Sequence, residues 1–310
     1  MNSLNPSSPE AQAIVSAHQD LALSVDNFAE PVFHQSDPTY RHAKIASLAL
    51  GFIETDAECL AQAWHRHANR IGRFDPHDWP DAPEDFGLAP WPRQEAFAPC
   101  PKALGLYAVL PSAQWVGRMA RAGVTTLQLR FKSDDARAIR DEVQAAVQAV
   151  QGTNSLLFIN DHWREAIAAG AYGVHLGQED MATADLLAIR HAGLRLGLSS
   201  HGYAEMIHAD RFSPSYIAMG AVFPTTLKRM PTPPQGVGRL RAYARLMRNY
   251  PLVAIGGIDA NNLSQVLPSG VGAIAVVRAI TGARDPESAV LQLIALINKA
   301  ADHSLRTINS

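Results

Sequence analysis

Arg130, Lys132 and Lys228 are cations that follow short apolar runs, and Asp161 and Asp180 are carboxylates placed in the same way. Arginine presents a planar fork that matches two phosphate oxygens, and lysine adds a compact charge. Two carboxylates with Asn160 beside them suit a hard cation such as Mg²⁺, whose remaining positions phosphate oxygens fill. Gly256-Gly257 follows another apolar run and leaves two backbone N–H groups unshielded, a usual way to hold a monophosphate at the end of a parallel strand. The pattern is that of a pyrophosphate–Mg²⁺ subsite and a separate monophosphate subsite. Two phosphorylated ligands in one site point to group transfer.

These residues need a frame that gathers them. From about residue 104 the sequence alternates short β-rich runs with longer helical ones. The predicted strands are Leu104–Leu110, Thr125–Arg130, Ser155–Asn160, Tyr172–Leu176, Arg195–Ser199, Ser215–Gly220, Leu252–Gly256 and Gly272–Val277. Helical patterns separate them, as over Asp134–Val150, Thr183–Ala192 and Pro286–Lys299. Eight such units in roughly 200 residues fit a (β/α)8 TIM barrel. An open doubly wound sheet is the runner-up, because alternation alone does not distinguish closure. In either fold the polar residues fall at the carboxyl ends of the strands, where parallel α/β proteins keep their sites.

The rest of the chain differs. Eleven of the 20 prolines lie in residues 1–101, and seven fall between Phe74 and Pro101. Proline removes a donor and fixes φ, so 74–101 reads as an extended linker whose aromatic residues can dock on a neighbouring surface. Residues 1–73 read as a small helical region. Ser8-Pro9 opens a helix to about Leu23, and Asp37-Pro38 opens one to about Leu50. Thr55 with Glu58 reads as a capping box for a third, to about Arg70. The expected division is a helical extension (1–73), a linker (74–101), a barrel (102–303) and a short tail (304–310).

Composition excludes several classes. With 27 basic and 29 acidic side chains the net charge is −2, which argues against a nucleic-acid binder working through bulk charge. Two cysteines rule out a disulfide scaffold and a cysteine-based metal site. No apolar run of about 18 residues and no basic-then-apolar leader occur, so a cytoplasmic protein without membrane spans is expected. The expected partners are small molecules, and a homo-oligomer is left open.

The runs TLQLRFK, LFINDHWREA, AYGVHLGQEDM, RLGLSSH, AVFPTTLKRMPTPPQG, VAIGGI and AIAVVRAI resemble the thiamine-phosphate synthase family between Thr126 and Ile280. KRMPTPPQG is especially similar to the enterobacterial branch. The resemblance implies Mg²⁺-dependent joining of 4-amino-2-methyl-5-hydroxymethylpyrimidine diphosphate to hydroxyethylthiazole phosphate. It implies that Arg130, Lys132 and Asn160 hold the pyrophosphate, that Lys228 grips it from the loop after strand six, and that Asp161 and Asp180 hold the metal. Gln128 and Ser199 match positions at the pyrimidine, and Thr225 and Gly257 match positions near the thiazole phosphate. His201 and Arg278 lie at strand ends and are candidate substrate contacts. The chain departs from the family at Phe131 for Glu, Leu227 and Ser200 for Thr and Thr, Arg278 for Ser, and Leu110-Pro111 for Thr-Asp. These bear on affinity more than on reaction class.

Other readings stand beside this one. A thiazole tautomerase of the same fold would need the monophosphate site and a base such as His201, but no metal pair. A non-catalytic thiazole-phosphate-binding regulator would tolerate Leu227 and Arg278. Singly, Asp161 could merely cap a helix, His175 could be a packed core histidine, His201 could start a helix and Gly256-Gly257 could be a plain turn. The 65–67 His-Arg-His run reads as an exposed helix face. The segment HAKIASLALGFIETDAECLAQAW faintly resembles the last helices of hydroxymethylpyrimidine kinases, with no nucleotide site to accompany it.

Overall fold

The computed structural model describes residues 8–24, 30–91, 93–226 and 232–308, with side chains through residue 300. Short polar side chains open the first helices. The Ser8 hydroxyl accepts from the Ala11 N–H ahead of α1 (Pro9–Ala17), and Asp37 accepts from the Tyr40 N–H ahead of α2 (Pro38–Ala49). In both, proline sits in the first turn, where its missing donor costs nothing. The first helix stops short of Leu23. His18 leaves the helical conformation, bonds the Pro76 carbonyl and sets its ring edge-on to Trp79.

The third helix, α3 (Glu54–Ile71), starts without the expected capping box, because Ile53 is its N-cap and offers no side-chain bond. Glu58 instead faces α2, where it accepts from the Tyr40 hydroxyl at 2.6 Å and from Lys44 Nζ at 2.8 Å. Lys44 is fully buried, and a buried ammonium needs a carboxylate more than a helix start does. His67 also departs from expectation. It is buried, with its two ring nitrogens 3.0 Å from Asp85 and Asp78. The 65–67 run is therefore not a solvated face.

The strand–helix alternation follows. It begins with β1 (Gly105–Leu110), α4 (Ala113–Arg121), β2 (Thr126–Leu129), α5 (Ala136–Ala149), β3 (Leu156–Asn160) and α6 (Trp163–Ala169). It continues with β4 (Gly173–Leu176), α7 (Gln178–Met181), α8 (Leu186–His191), β5 (Arg195–Ser200), α9 (Tyr203–Asp210) and β6 (Tyr216–Met219). It ends with α10 (Gly236–Leu246), β7 (Leu252–Ile255), α11 (Leu263–Val266), β8 (Ala273–Val276), α12 (Arg278–Thr281) and α13 (Pro286–Ile308). All eight strands are parallel and pair in sequence order, and β8 returns to β1 with Gly105 opposite Ala273. The sheet is a closed barrel, so the open-sheet alternative falls.

The barrel is filled by the rings of Tyr107, Phe158 and Tyr216 among small residues. Glycines make this possible: a Cβ on Gly197 would lie 2.0 Å from the Tyr216 ring, and one on Gly173 2.5 Å from Phe158. Outside the strands a second apolar layer runs on without a break into α1, α2 and α3. The proline-rich segment contributes to it by burying Trp79, Phe86 and Phe97. Trp79 Nε1 donates to the Tyr203 hydroxyl at 3.1 Å, and Phe86 stacks on the Tyr203 ring. Arg93 lies 2.7 Å from Asp210. Among the described residues no helix is long and apolar enough to cross a membrane.

Candidate active site

The carboxyl ends of the strands surround one cavity of about 840 Å³. Gln128, Arg130, Lys132, Asn160, Asp161, Asp180, Ser199, His201, Thr225, Gly257 and Arg278 all line it. The structure thus gathers every site residue expected from the sequence except Lys228, which lies with Leu227 and Met230 outside the described residues.

One side of the cavity is ionic. At the end of β3 the backbone turns sharply, with Asp161 at φ 64°, a left-handed conformation that aspartate tolerates better than most residues. Its N–H donates to the His175 carbonyl at 3.0 Å, which ties the turn to β4. Asp161 does not cap α6, whose N-cap is His162 with no side-chain bond. Its carboxylate faces Lys132 Nζ at 2.5 Å. Asp180 comes from the start of α7, after β4. Partial burial holds its carboxyl above the usual range, and the negative Asp161 beside it pushes the same way. Two carboxylates that repel each other at a cavity wall lined with Arg130 and Lys132 form a hard-oxygen donor pair, which fits a divalent cation shared with phosphate.

The floor carries a hydrogen-bond chain that crosses the barrel. Gln128 Nε2 donates to Asn160 Oδ1 at 2.6 Å, and the Tyr107 hydroxyl donates to Gln128 Oε1 at 3.0 Å. Tyr107 and Tyr216 hydroxyls are 2.7 Å apart. His175 Nδ1 is 2.7 Å from the Tyr216 hydroxyl, and its Nε2 is 2.8 Å from Ser199 Oγ. Each hydroxyl has one proton, which fixes the direction as far as His175 Nδ1. Tyr107 spends its proton on Gln128, so Tyr216 donates to Tyr107. His175 Nδ1 then donates to Tyr216, and in that tautomer Nε2 accepts from Ser199. Ser199 is left with its oxygen lone pairs for the cavity. Burial pushes both phenols well up, so they stay protonated. His175 is both a packed histidine and a cavity wall.

Sequence reasoning missed Tyr107 and Tyr216, which look like ordinary strand aromatics. It also missed Glu205, whose Oε2 accepts from the His201 backbone N–H at 2.9 Å and lies 2.6 Å from His201 Nδ1. That partner was findable, since four residues separate the pair at a helix start.

The opposite wall is formed by β7 and β8. Gly256 and Gly257 have φ of 105° and 65°. A Cβ on Gly257 would lie 2.6 Å from the Pro224 carbonyl, so the loop after β6 needs glycine there. This is a close approach of two site loops rather than a plain turn. Arg278 opens α12 and donates to the Thr226 hydroxyl at 2.9 Å across the same gap.

A family model for thiamine monophosphate synthase matches residues 106–280. The chain belongs to that family. It is 56% identical over 200 residues to thiamine-phosphate synthase of Neisseria meningitidis serogroup B, which covers 64% of this chain and 98% of the relative. It is 51% identical over 203 residues to the synthase of Citrobacter koseri, covering 66% of this chain and 96% of that one. The solved thiamine phosphate pyrophosphorylase from Pyrococcus furiosus shares 30% identity at a TM-score of 0.58, over 64% of this chain and 96% of its own. The synthase match begins at β1, so α1, α2, α3 and the proline-rich segment fall outside it.

Proposed function

We propose that this chain condenses 4-amino-2-methyl-5-hydroxymethylpyrimidine diphosphate with hydroxyethylthiazole phosphate, giving thiamine phosphate and pyrophosphate. It is a transferase, and the relatives at 56% and 51% identity are named thiamine-phosphate synthase. The observation that carries the substrate assignment is the cavity itself. It sets cations and paired carboxylates on one wall and a glycine pair on the other, with the hydrogen-bonded Gln128–His175–Ser199 floor between.

In this reading the pyrimidine lies on the floor. Ser199 Oγ, its own proton engaged by His175, accepts from the pyrimidine amino group, and Gln128 meets a ring nitrogen. Arg130, Lys132 and Asn160, with Lys228, hold the diphosphate. The C–O bond of the methylene breaks heterolytically and both electrons leave with pyrophosphate. The thiazole nitrogen then supplies its lone pair to the methylene carbon. No protein base is needed, because no proton is lost at either reacting atom. The cations lower the barrier by meeting charge that grows on the departing oxygens.

Enzymes of this family need a metal. We assign Mg²⁺ to Asp161 and Asp180; when bound, it would supply charge neutralisation at the pyrophosphate oxygens. Thr225, Gly257 and Arg278 are assigned to the thiazole phosphate, and His201 to the rim between the substrates. Catalysis belongs to residues 102–303, behind an extension of 1–73 and a connecting segment of 74–101; α13 continues to Ile308 through most of the expected 304–310 tail, and the expected setting is cytoplasmic. The test is pyrophosphate release by the purified chain given both substrates and Mg²⁺. Absence of turnover with the fold intact would overturn the reading. Thiazole isomerisation without metal would instead favour the tautomerase.

A further inference from the structure

The loop that follows β5 carries Ser199, Ser200 and His201 into the cavity and then enters α9 through Gly202. A helix start needs an acceptor for its first N–H groups, and Ser, Thr, Asp or Asn at the N-cap normally supplies it. Gly202 is the N-cap of α9 and has no side chain to offer. The acceptor comes from 148 residues earlier in the chain. Asp56, on α3 of the extension, reaches into the gap, and its Oδ1 accepts from the Ala204 N–H at 2.8 Å. The fit is close: a Cβ on Gly202 would lie 2.0 Å from Asp56 Oδ2. Gly202 has φ −179°, extended backbone open to any residue, so it is the carboxylate and not the conformation that excludes a side chain. Asp56 is only 3% exposed, so solvent does not compete for the bond. The next site loop is held from the same side. Arg239 of α10 donates to the Leu21 and Leu50 carbonyls, while Gln235 N–H, at the start of that helix, donates to the Ala221 carbonyl at the cavity wall.

We propose that Asp56 is a positioning residue for catalysis: the extension caps α9 from outside the barrel and so sets the Ser199–Gly202 loop against the pyrimidine substrate. The inference rests on the role assigned above to Ser199. The barrel offers no side-chain cap at Gly202, and the extension supplies one.

The test is steady-state kinetics of the full chain with each substrate varied in turn. Asp56→Ala is expected to lower kcat/KM for the pyrimidine diphosphate about 5- to 30-fold, the range a lost helix cap can shift an equilibrium. The KM for the thiazole phosphate should be unchanged. The double variant Asp56→Ala, Gly202→Asp places the cap back on the barrel, in the space Asp56 vacates, and should recover most of the loss. A folded Asp56→Ala with wild-type kinetics would overturn the proposal, as would failure of the double variant to recover. If Asp56→Ala does not fold, Gly202→Ala decides, since its methyl displaces the carboxylate from the barrel side. The same selective loss supports the proposal, and unchanged kinetics overturns it. Ser199→Ala separates the two readings: if it leaves the pyrimidine KM unchanged, the assignment of Ser199 fails, whatever Asp56 does.

Discussion

Lys132 Nζ lies 2.5 Å from Asp161 Oδ2, so the cation expected to meet pyrophosphate and the carboxylate expected to meet the metal hold each other in place. The pair brings both groups to the same cavity wall. Asp161→Ala should therefore lower kcat by about 10²–10³ or more, on the scale of losing one preorganised electrostatic contact. Lys132→Met should mainly lower kcat/KM for the diphosphate. Pyrophosphate release at saturating Mg²⁺ reads both, and activity within a few-fold of wild type in Asp161→Ala would remove this carboxylate from the mechanism.

Tyr216→Phe removes one hydroxyl from the middle of the floor chain. Tyr107 then loses a donor and His175 Nδ1 loses its acceptor, with the ring packing intact. A buried group left without its partner costs roughly 1–3 kcal/mol. Ser199 would no longer be fixed as an acceptor, so the KM for the pyrimidine substrate should rise as thermal stability falls. Tyr107→Phe in the same background should add less than its effect alone, because the two hydroxyls act in one chain. Strict additivity would break that account.

The eight strands and the ionic wall were legible in the sequence because both are local signals. The strands read as short continuous apolar runs, because both faces of a parallel barrel strand are buried, and Arg130, Lys132, Asn160 and Asp161 stand within two or three residues of a strand end. The extension was legible only as helices. Asp56 on Ala204, Glu58 on Lys44 and Arg239 on Leu50 join residues far apart in the chain or on different helices, and no spacing rule anticipates them. The Thr55–Glu58 capping box shows the cost: the pattern was right for a helix start, but a buried ammonium claimed the carboxylate.

Stability should carry a pH signature of Asp56. Burial raises its carboxyl from an ordinary 3.8 to about 6, against the pull of the Ala204 N–H. The native state then binds more protons than the unfolded chain between about pH 4 and pH 6. This contribution is fully present below pH 4 and is lost as pH rises through 6, amounting to roughly 3 kcal/mol. Asp56→Asn should remove that slope. Urea midpoints of both proteins between pH 4 and 7 give the difference, and parallel curves would contradict it.

Arg239 is buried, 3.7 Å above the Phe52 ring, with its guanidinium donating to two backbone carbonyls of the extension. Arg239→Met keeps the stem and removes the fork. The Leu21 carbonyl then loses its partner and the Leu50 carbonyl keeps only the Leu23 N–H, which should cost about 2–4 kcal/mol, since charged donors count for more than neutral ones. Chemical denaturation measures this, and a loss below about 0.5 kcal/mol, the ordinary surface range, would show that water satisfies those carbonyls.

Two glycines of the barrel record how far the association has gone. Gly202 faces Asp56, and Gly238 lies so close to the extension that a Cβ would sit 1.9 Å from the Asp20 carbonyl. Each is a position where the extension leaves no room for a side chain. A side chain at either position, a local cap at 202 included, collides with the extension while it is present, so the two parts of the chain are cut to fit each other.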